Sequence, residues 1–87
     1  MDNGFVLDFI QVRDDGGITF AVRKTSGEVS TKLGVILADA LQRLNGGPYT
    51  DAVLVFNAYQ ERITRRAGAH WDANPLNEYV ILGRGEF

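Results

Sequence analysis

Phe5-Val-Leu-Asp-Phe-Ile-Gln-Val-Arg-Asp-Asp-Gly-Gly-Ile-Thr-Phe-Ala-Val-Arg-Lys24 places two runs of β-branched and aromatic residues on either side of one turn signal. Strands are favoured at Phe5 to Arg13 and Ile18 to Lys24, and Asp15-Gly16 is a dipeptide preferred in the tight type I′ turns of β-hairpins. That turn predicts a register pairing Asp14 with Gly17, Gln11 with Phe20, Phe9 with Val22 and Asp8 with Arg23. The last pair is a cross-strand ion pair. One face of the hairpin then carries Phe5, Leu7, Phe9, Ile18, Phe20 and Val22 and belongs to the core. The other carries Val6, Asp8, Ile10, Val12, Thr19, Ala21 and Arg23. Val6, Ile10 and Val12 make an apolar strip there, which is expected to be covered by a second copy of the chain or by a partner.

Working outward, Thr25-Ser-Gly-Glu28 reads as a turn, and Ser30 or Thr31 can cap a helix from Lys32 to Asn45. Gly46-Gly47 would close that helix, with Pro48 just beyond. Leu33, Ile36, Leu37, Ala40, Leu41 and Leu44 form one stripe at helical spacing, and Asp39 and Arg43 pair at i,i+4 on the far side. A short third strand at Glu28 to Thr31 also fits. Thr50 can cap a second helix from Asp51 to Ala67, ending at Gly68, with Ala52, Phe56, Tyr59 and Ile63 inward. Ala52 to Phe56 is equally short enough for a buried strand. Ala69 to Asn77 reads as a loop broken by Asn74-Pro75, and Glu78 to Leu82 as a buried strand ended by Gly83-Arg-Gly85. The sum is one α+β domain over residues 1–87, in the order β-β-α-α-β. Its antiparallel sheet has about three strands, with both helices on one face.

Composition narrows the function classes. The 87 residues are 45% hydrophobic and 23% charged with two prolines, as in an ordinary globular domain. Absence of cysteine removes disulfides, thiolate nucleophiles and thiolate metal sites, and suits a reducing compartment. The first residues lack a basic and an apolar region of the secretory kind, and the longest apolar run, Ala52 to Phe56, is far short of the roughly 20 residues that span a bilayer. A soluble, cytoplasmic chain is expected. Nine basic against eleven acidic side chains give a net charge of −2, which disfavours a dedicated nucleic-acid binder.

No catalytic or cofactor signature stands out. His70 and Asp72 lie two apart, but a metal site needs three or four ligands and this chain has one histidine. Ser26 and Ser30 fall in a turn and at a cap position, outside any G-x-S-x-G elbow. The glycines at Gly16-Gly17, Gly46-Gly47 and Gly83-Arg-Gly85 match neither dinucleotide nor phosphate loops. Neither metal, cofactor nor catalytic residue is therefore assigned.

The remaining signal is Arg62-Ile-Thr-Arg-Arg-Ala-Gly-Ala-His-Trp-Asp72, where three arginines run into the only histidine and the only tryptophan. Arg62, Arg65 and Arg66 share one flank of the second helix, beside Leu54 and Ala58. Cations at a helix C-terminus complement its dipole, but Arg and Trp are also the residue types enriched in binding hot spots. Arg62, Arg65, Arg66, His70 and Trp71 are the expected partner-binding residues, with Val6, Ile10 and Val12 as an oligomer or partner face. By elimination the chain reads as a non-catalytic protein-binding domain, an inhibitor or adaptor able to form a homodimer. Phage accessory proteins that block host defence, anti-CRISPR proteins among them, are often of this size; that likeness of type rests on no motif. The alternative is a nucleic-acid module in which the arginines meet phosphates and Trp71 or Tyr59 stacks on a base.

Overall fold

The hairpin forms where alternation places it. In the computed structural model, which describes residues 4–27 and 29–87, β1 (Phe5–Val12) and β2 (Ile18–Lys24) pair antiparallel. Its turn is longer than the two-residue signal implies. The Arg13 N–H donates to the Gly17 carbonyl at 2.8 Å and the Gly16 N–H to the Arg13 carbonyl at 3.1 Å, leaving Asp14-Asp15-Gly16 as a three-residue loop. Gly16, at φ 90°, takes the left-handed position that such a loop requires. Asp15 Oδ1 accepts from the Gly17 N–H at 2.9 Å, and the Tyr49 hydroxyl donates to the Gly16 carbonyl at 2.7 Å.

A bulge then changes the phase of β1. Asp8 pairs with Ala21 while Gln11 pairs with Thr19, so Phe9 and Ile10 together stand opposite Phe20. Phe9 sits at φ 55° and points its ring into solvent, 85% exposed. Ile10 takes the inward place and packs on the core. The predicted register is thus corrected along its whole length, although Arg23 still reaches Asp8 diagonally at 2.9 Å. The expected strip of Val6, Ile10 and Val12 is split by the same extra residue. Val6 is half-buried, Ile10 joins the core and Val12 is exposed.

The segment expected to open the first helix is a strand instead. β3 (Ser30–Ile36) pairs antiparallel with β2 over seven residues, from Ile18 with Ile36 to Lys24 with Ser30. Gly34 explains the outcome: in a helix interior it would cost about 1 kcal/mol relative to alanine, whereas in the sheet it faces the Phe20 ring, which fills the space a side chain would need. The helix itself, α1, is confined to Ala38–Asn45 and closes on Gly46 at φ 79°, as its glycine pair predicts. Leu33, expected in its buried stripe, is 47% exposed on the sheet.

The predicted second helix forms as two. α2 (Ala52–Ala58) is capped by Asp51, whose side chain accepts from the Leu54 N–H at 3.2 Å, and not by Thr50. The chain bends at Tyr59 and continues as α3 (Gln60–Ala73), which runs through Gly68 and absorbs half of the expected loop. Gly68 is a contact residue and no terminator, because a Cβ there would come within 2.6 Å of the Phe5 ring. After Asn74-Pro75 the chain enters β4 (Tyr79–Leu82), which lies parallel to β3.

Among the described residues the sheet is thus four-stranded, in the order β1-β2-β3-β4, with three α-helices, and the class is α+β. The one strand beyond the expected count is β3, and the parallel edge arises because the three helices form the crossover between β3 and β4. Phe5, Leu7, Ile18, Phe20, Val22, Ile36, Val80 and Leu82 of the sheet share one core with Leu41, Phe56, Ile63 and Trp71 of the helices. No helix among the described residues is long and apolar enough to cross a membrane.

Candidate functional site

α3 sorts its side chains by helical phase. Ile63, Ala67, Gly68 and Trp71 face the core, while Arg62, Arg66, Ala69 and Ala73, at i, i+4, i+7 and i+11, form a stripe along one flank. That flank looks towards β4 and the short 3₁₀ turn Arg84–Glu86. A groove of about 600 Å³ lies between them, lined by Arg66, Ala69, His70, Ala73 and Asn74 on one side and by Ile81, Gly83, Gly85 and Glu86 on the other. Alanines and glycines leave the room.

The groove extends in both directions. Towards the start of α3 it shares Arg66, Ala69 and Glu86 with a recess of about 330 Å³ that adds Arg62, Arg65 and Phe87. Towards the end of α3 it shares His70 and Ile81 with one of about 420 Å³ that adds Leu76, Asn77, Glu78 and Tyr79. Together they make a trough running beside α3, with a basic end and an end where Leu76, Tyr79 and Ile81 stand beside Asn77 and Glu78. Leu76, 96% exposed, stands at the mouth of the second end.

Four of the five expected partner-binding residues meet in this trough. Arg65 is held by Glu61 at 3.0 Å on the helix surface, and Arg66 reaches Glu86 at 3.4 Å, tying the helix to the C-terminal wall. Such exposed pairs contribute at most about 1 kcal/mol, so either guanidinium can exchange its partner for a ligand carboxylate. Arg62 has no ion-pair partner among the described residues. His70 is half-buried on the trough wall, and its buried Nδ1 has no hydrogen-bond partner among the described residues.

Trp71 is the exception. The sequence places it in a loop beside the arginines, whereas it lies on the core side of α3, 5% exposed, with its ring 5.5 Å from that of Phe5. Its surface is spent on packing. Val6, Ile10 and Val12 are remote from the trough in the order of the sheet, since β1 and β4 are opposite edges. The apolar residues that the outer sheet face does expose are Leu33, Tyr79 and Ile81.

Nothing in the sequence alone assigns Ala69, Ala73, Ile81, Gly83, Gly85 and Glu86 to a binding surface. The only local signal was the pair of alanines four apart on the arginine flank, and their use depends on β4 being placed alongside. No group of three or more His, Asp or Glu side chains suited to a metal ion occurs among the described residues. Comparison with protein-family models, curated proteins and solved structures finds no match.

Proposed function

We propose that this chain is a small protein-binding domain that inhibits or adapts a partner by docking on it, and that the trough beside α3 is the docking site. The observation that carries this reading is the convergence of Arg66, His70 and Ile81 on one open groove floored by Ala69 and Ala73, with Arg62 lining the recess that adjoins it. Guanidinium groups beside an apolar surface are a common hot-spot arrangement. No covalent step is assigned to any residue. The lack of cysteine suits a cytoplasmic setting, and a phage accessory protein directed against host defence is one role such a domain would fill.

The test is affinity capture from the native host with mass spectrometry, repeated with Arg62→Glu combined with Arg66→Glu. Charge reversal is expected to abolish capture of the specific partner, at a cost of at least about 2 kcal/mol of binding free energy. Retention of the same partner at unchanged affinity returns the arginines to the role of solvated cations. Capture that is lost on nuclease treatment and falls steeply with salt moves the site to a nucleic acid.

A further inference from the structure

β4 is an edge strand, and its backbone divides into a used side and a free one. The Leu82 carbonyl accepts from the Leu37 N–H at 3.0 Å, so Leu82, and with it Val80, directs its backbone groups at β3. By the alternation of the strand, the N–H and C=O of Tyr79 and Ile81 point the other way, and among the described residues no strand meets them there. The opposite edge of the sheet is different. β1 carries the bulge at Phe9, which interrupts any continuous pairing surface.

The free side of β4 opens on the same trough. A strand laid against Tyr79 and Ile81 would continue the sheet, and alternate side chains would drop towards Ala69, Ala73 and His70 on α3. Its backbone would satisfy the free groups of Tyr79 and Ile81, and the pockets would read its alternate residues. Charge decides what kind of segment fits. The end of the trough near the start of α3 presents Arg62 with no ion-pair partner among the described residues, beside Arg65 and Arg66, whose exposed pairs with Glu61 and Glu86 leave an excess of positive charge there. We infer that the partner enters as an extended, acidic segment that adds a fifth strand to the free edge of β4, with its carboxylates at the arginine end. This deepens the docking reading above and rests on it.

The probe is a displayed library of linear dodecapeptides panned against the full chain. Selected peptides are expected to be rich in Asp, Glu and β-branched residues, and to protect the Tyr79 and Ile81 amides from hydrogen exchange when bound. Ile81→Pro removes the outward N–H without touching the β3 ladder, a substitution edge strands tolerate. It should weaken peptide binding about tenfold, the effect of one lost hydrogen bond. Tyr79→Pro, at the first residue of the strand, provides the same loss should position 81 refuse proline. Failure to select any peptide, or selection of peptides that leave both amides unprotected, overturns strand addition. Partner capture that depends on Arg62 and Arg66 while those amides stay unprotected overturns strand addition and leaves docking intact. Capture indifferent to the arginines overturns both.

Discussion

Lys32 of β3 holds its ammonium 4.4 Å from the centre of the Trp71 ring and donates to the Pro75 carbonyl at 2.9 Å. One side chain therefore closes the edge of the core and anchors the chain just past the end of α3. A cation over an indole face contributes about 0.5–1 kcal/mol at a partly exposed site, and the carbonyl contact a similar amount. Lys32→Ala should lower stability by about 1–2 kcal/mol in urea denaturation, with partner binding unchanged once the variant is folded. Trp71→Ala should cost about 3–5 kcal/mol by emptying core volume. A Trp71→Ala variant as stable as the parent would place the indole outside the core.

What the sequence could and could not reveal turns on where two periodicities agree. Ile18, Phe20 and Val22 alternate without interruption, and β2 is where it was expected. In β1 the same alternation is broken by one extra residue at Phe9-Ile10. Nothing local announces this, since phenylalanine is a poor choice for a left-handed position. Between Lys32 and Leu44 the apolar residues fit helical spacing, and the strand that forms over Ser30–Ile36 instead turns Leu33 outward and sets Gly34 against Phe20, a contact made across strands. Gly68 looked like a helix stop and proved to be a point of close approach. Helical phase alone groups Arg62, Arg65 and Arg66, but Leu54 and Ala58, which the same phase sets beside them, fall on α2 across the bend at Tyr59. The trough is not legible in the sequence, because it exists only where β4 lies against the arginine flank.

Gly68 provides a second test, because local and tertiary effects oppose each other there. Helix propensity alone predicts that Gly68→Ala gains about 1 kcal/mol. The built Cβ, however, comes within 2.6 Å of the Phe5 ring, and that ring already packs on Trp71. Overpacking of this kind costs about 1–3 kcal/mol, so Gly68→Ala should be destabilising. Adding Phe5→Leu should recover part of the loss, which a thermodynamic cycle would show as a favourable coupling. Stabilisation by Gly68→Ala alone would mean that α3 can move away from β1.

Phe9 should respond in the opposite sense. Its φ of 55° strains a residue with a Cβ, and its ring is too exposed to compensate by burial. Phe9→Gly or Phe9→Asn should therefore hold or raise stability, by up to about 1 kcal/mol. A clear loss on denaturation would show that the ring packs against the domain in solution.

The hairpin loop makes stability depend on pH at both ends of the scale. The Gly17 N–H, and after it Arg13, hold the Asp15 carboxyl below its ordinary value of 3.8, with desolvation opposing them. A group whose folded pKa is depressed stabilises the fold above its unfolded pKa, and loses that contribution as pH falls through the folded value. Asp15→Asn should therefore be the less stable protein at neutral pH, with the gap closing below about pH 4. Tyr49 behaves inversely. Desolvation, and then the charge of Asp15, raise its pKa above 10.0, so its contribution is present below that value and is lost as alkaline pH climbs through the folded pKa. Tyr49→Phe should lose about 1 kcal/mol with its bond to Gly16 and flatten the alkaline limb. Urea midpoints across the pH range, parallel for all three proteins, would contradict both assignments.

His70 separates stability from binding. Its Nδ1 is buried with no hydrogen-bond partner among the described residues, a state that costs about 1–3 kcal/mol. The remainder of the ring lines the trough where Ile81 faces it. Replacing His70 with leucine removes the unpaired nitrogen and keeps an apolar body of similar reach, so His70→Leu should raise the unfolding free energy by about 1 kcal/mol. The same variant loses a polar group on the docking surface and should bind the captured partner more weakly. His70→Gln keeps a donor and an acceptor but cannot relay a proton at neutral pH, so it should retain most of the binding. Loss of function in His70→Gln, with its fold and partner affinity intact, would assign the imidazole a chemical step. A destabilised His70→Leu would show instead that Nδ1 is paired in solution.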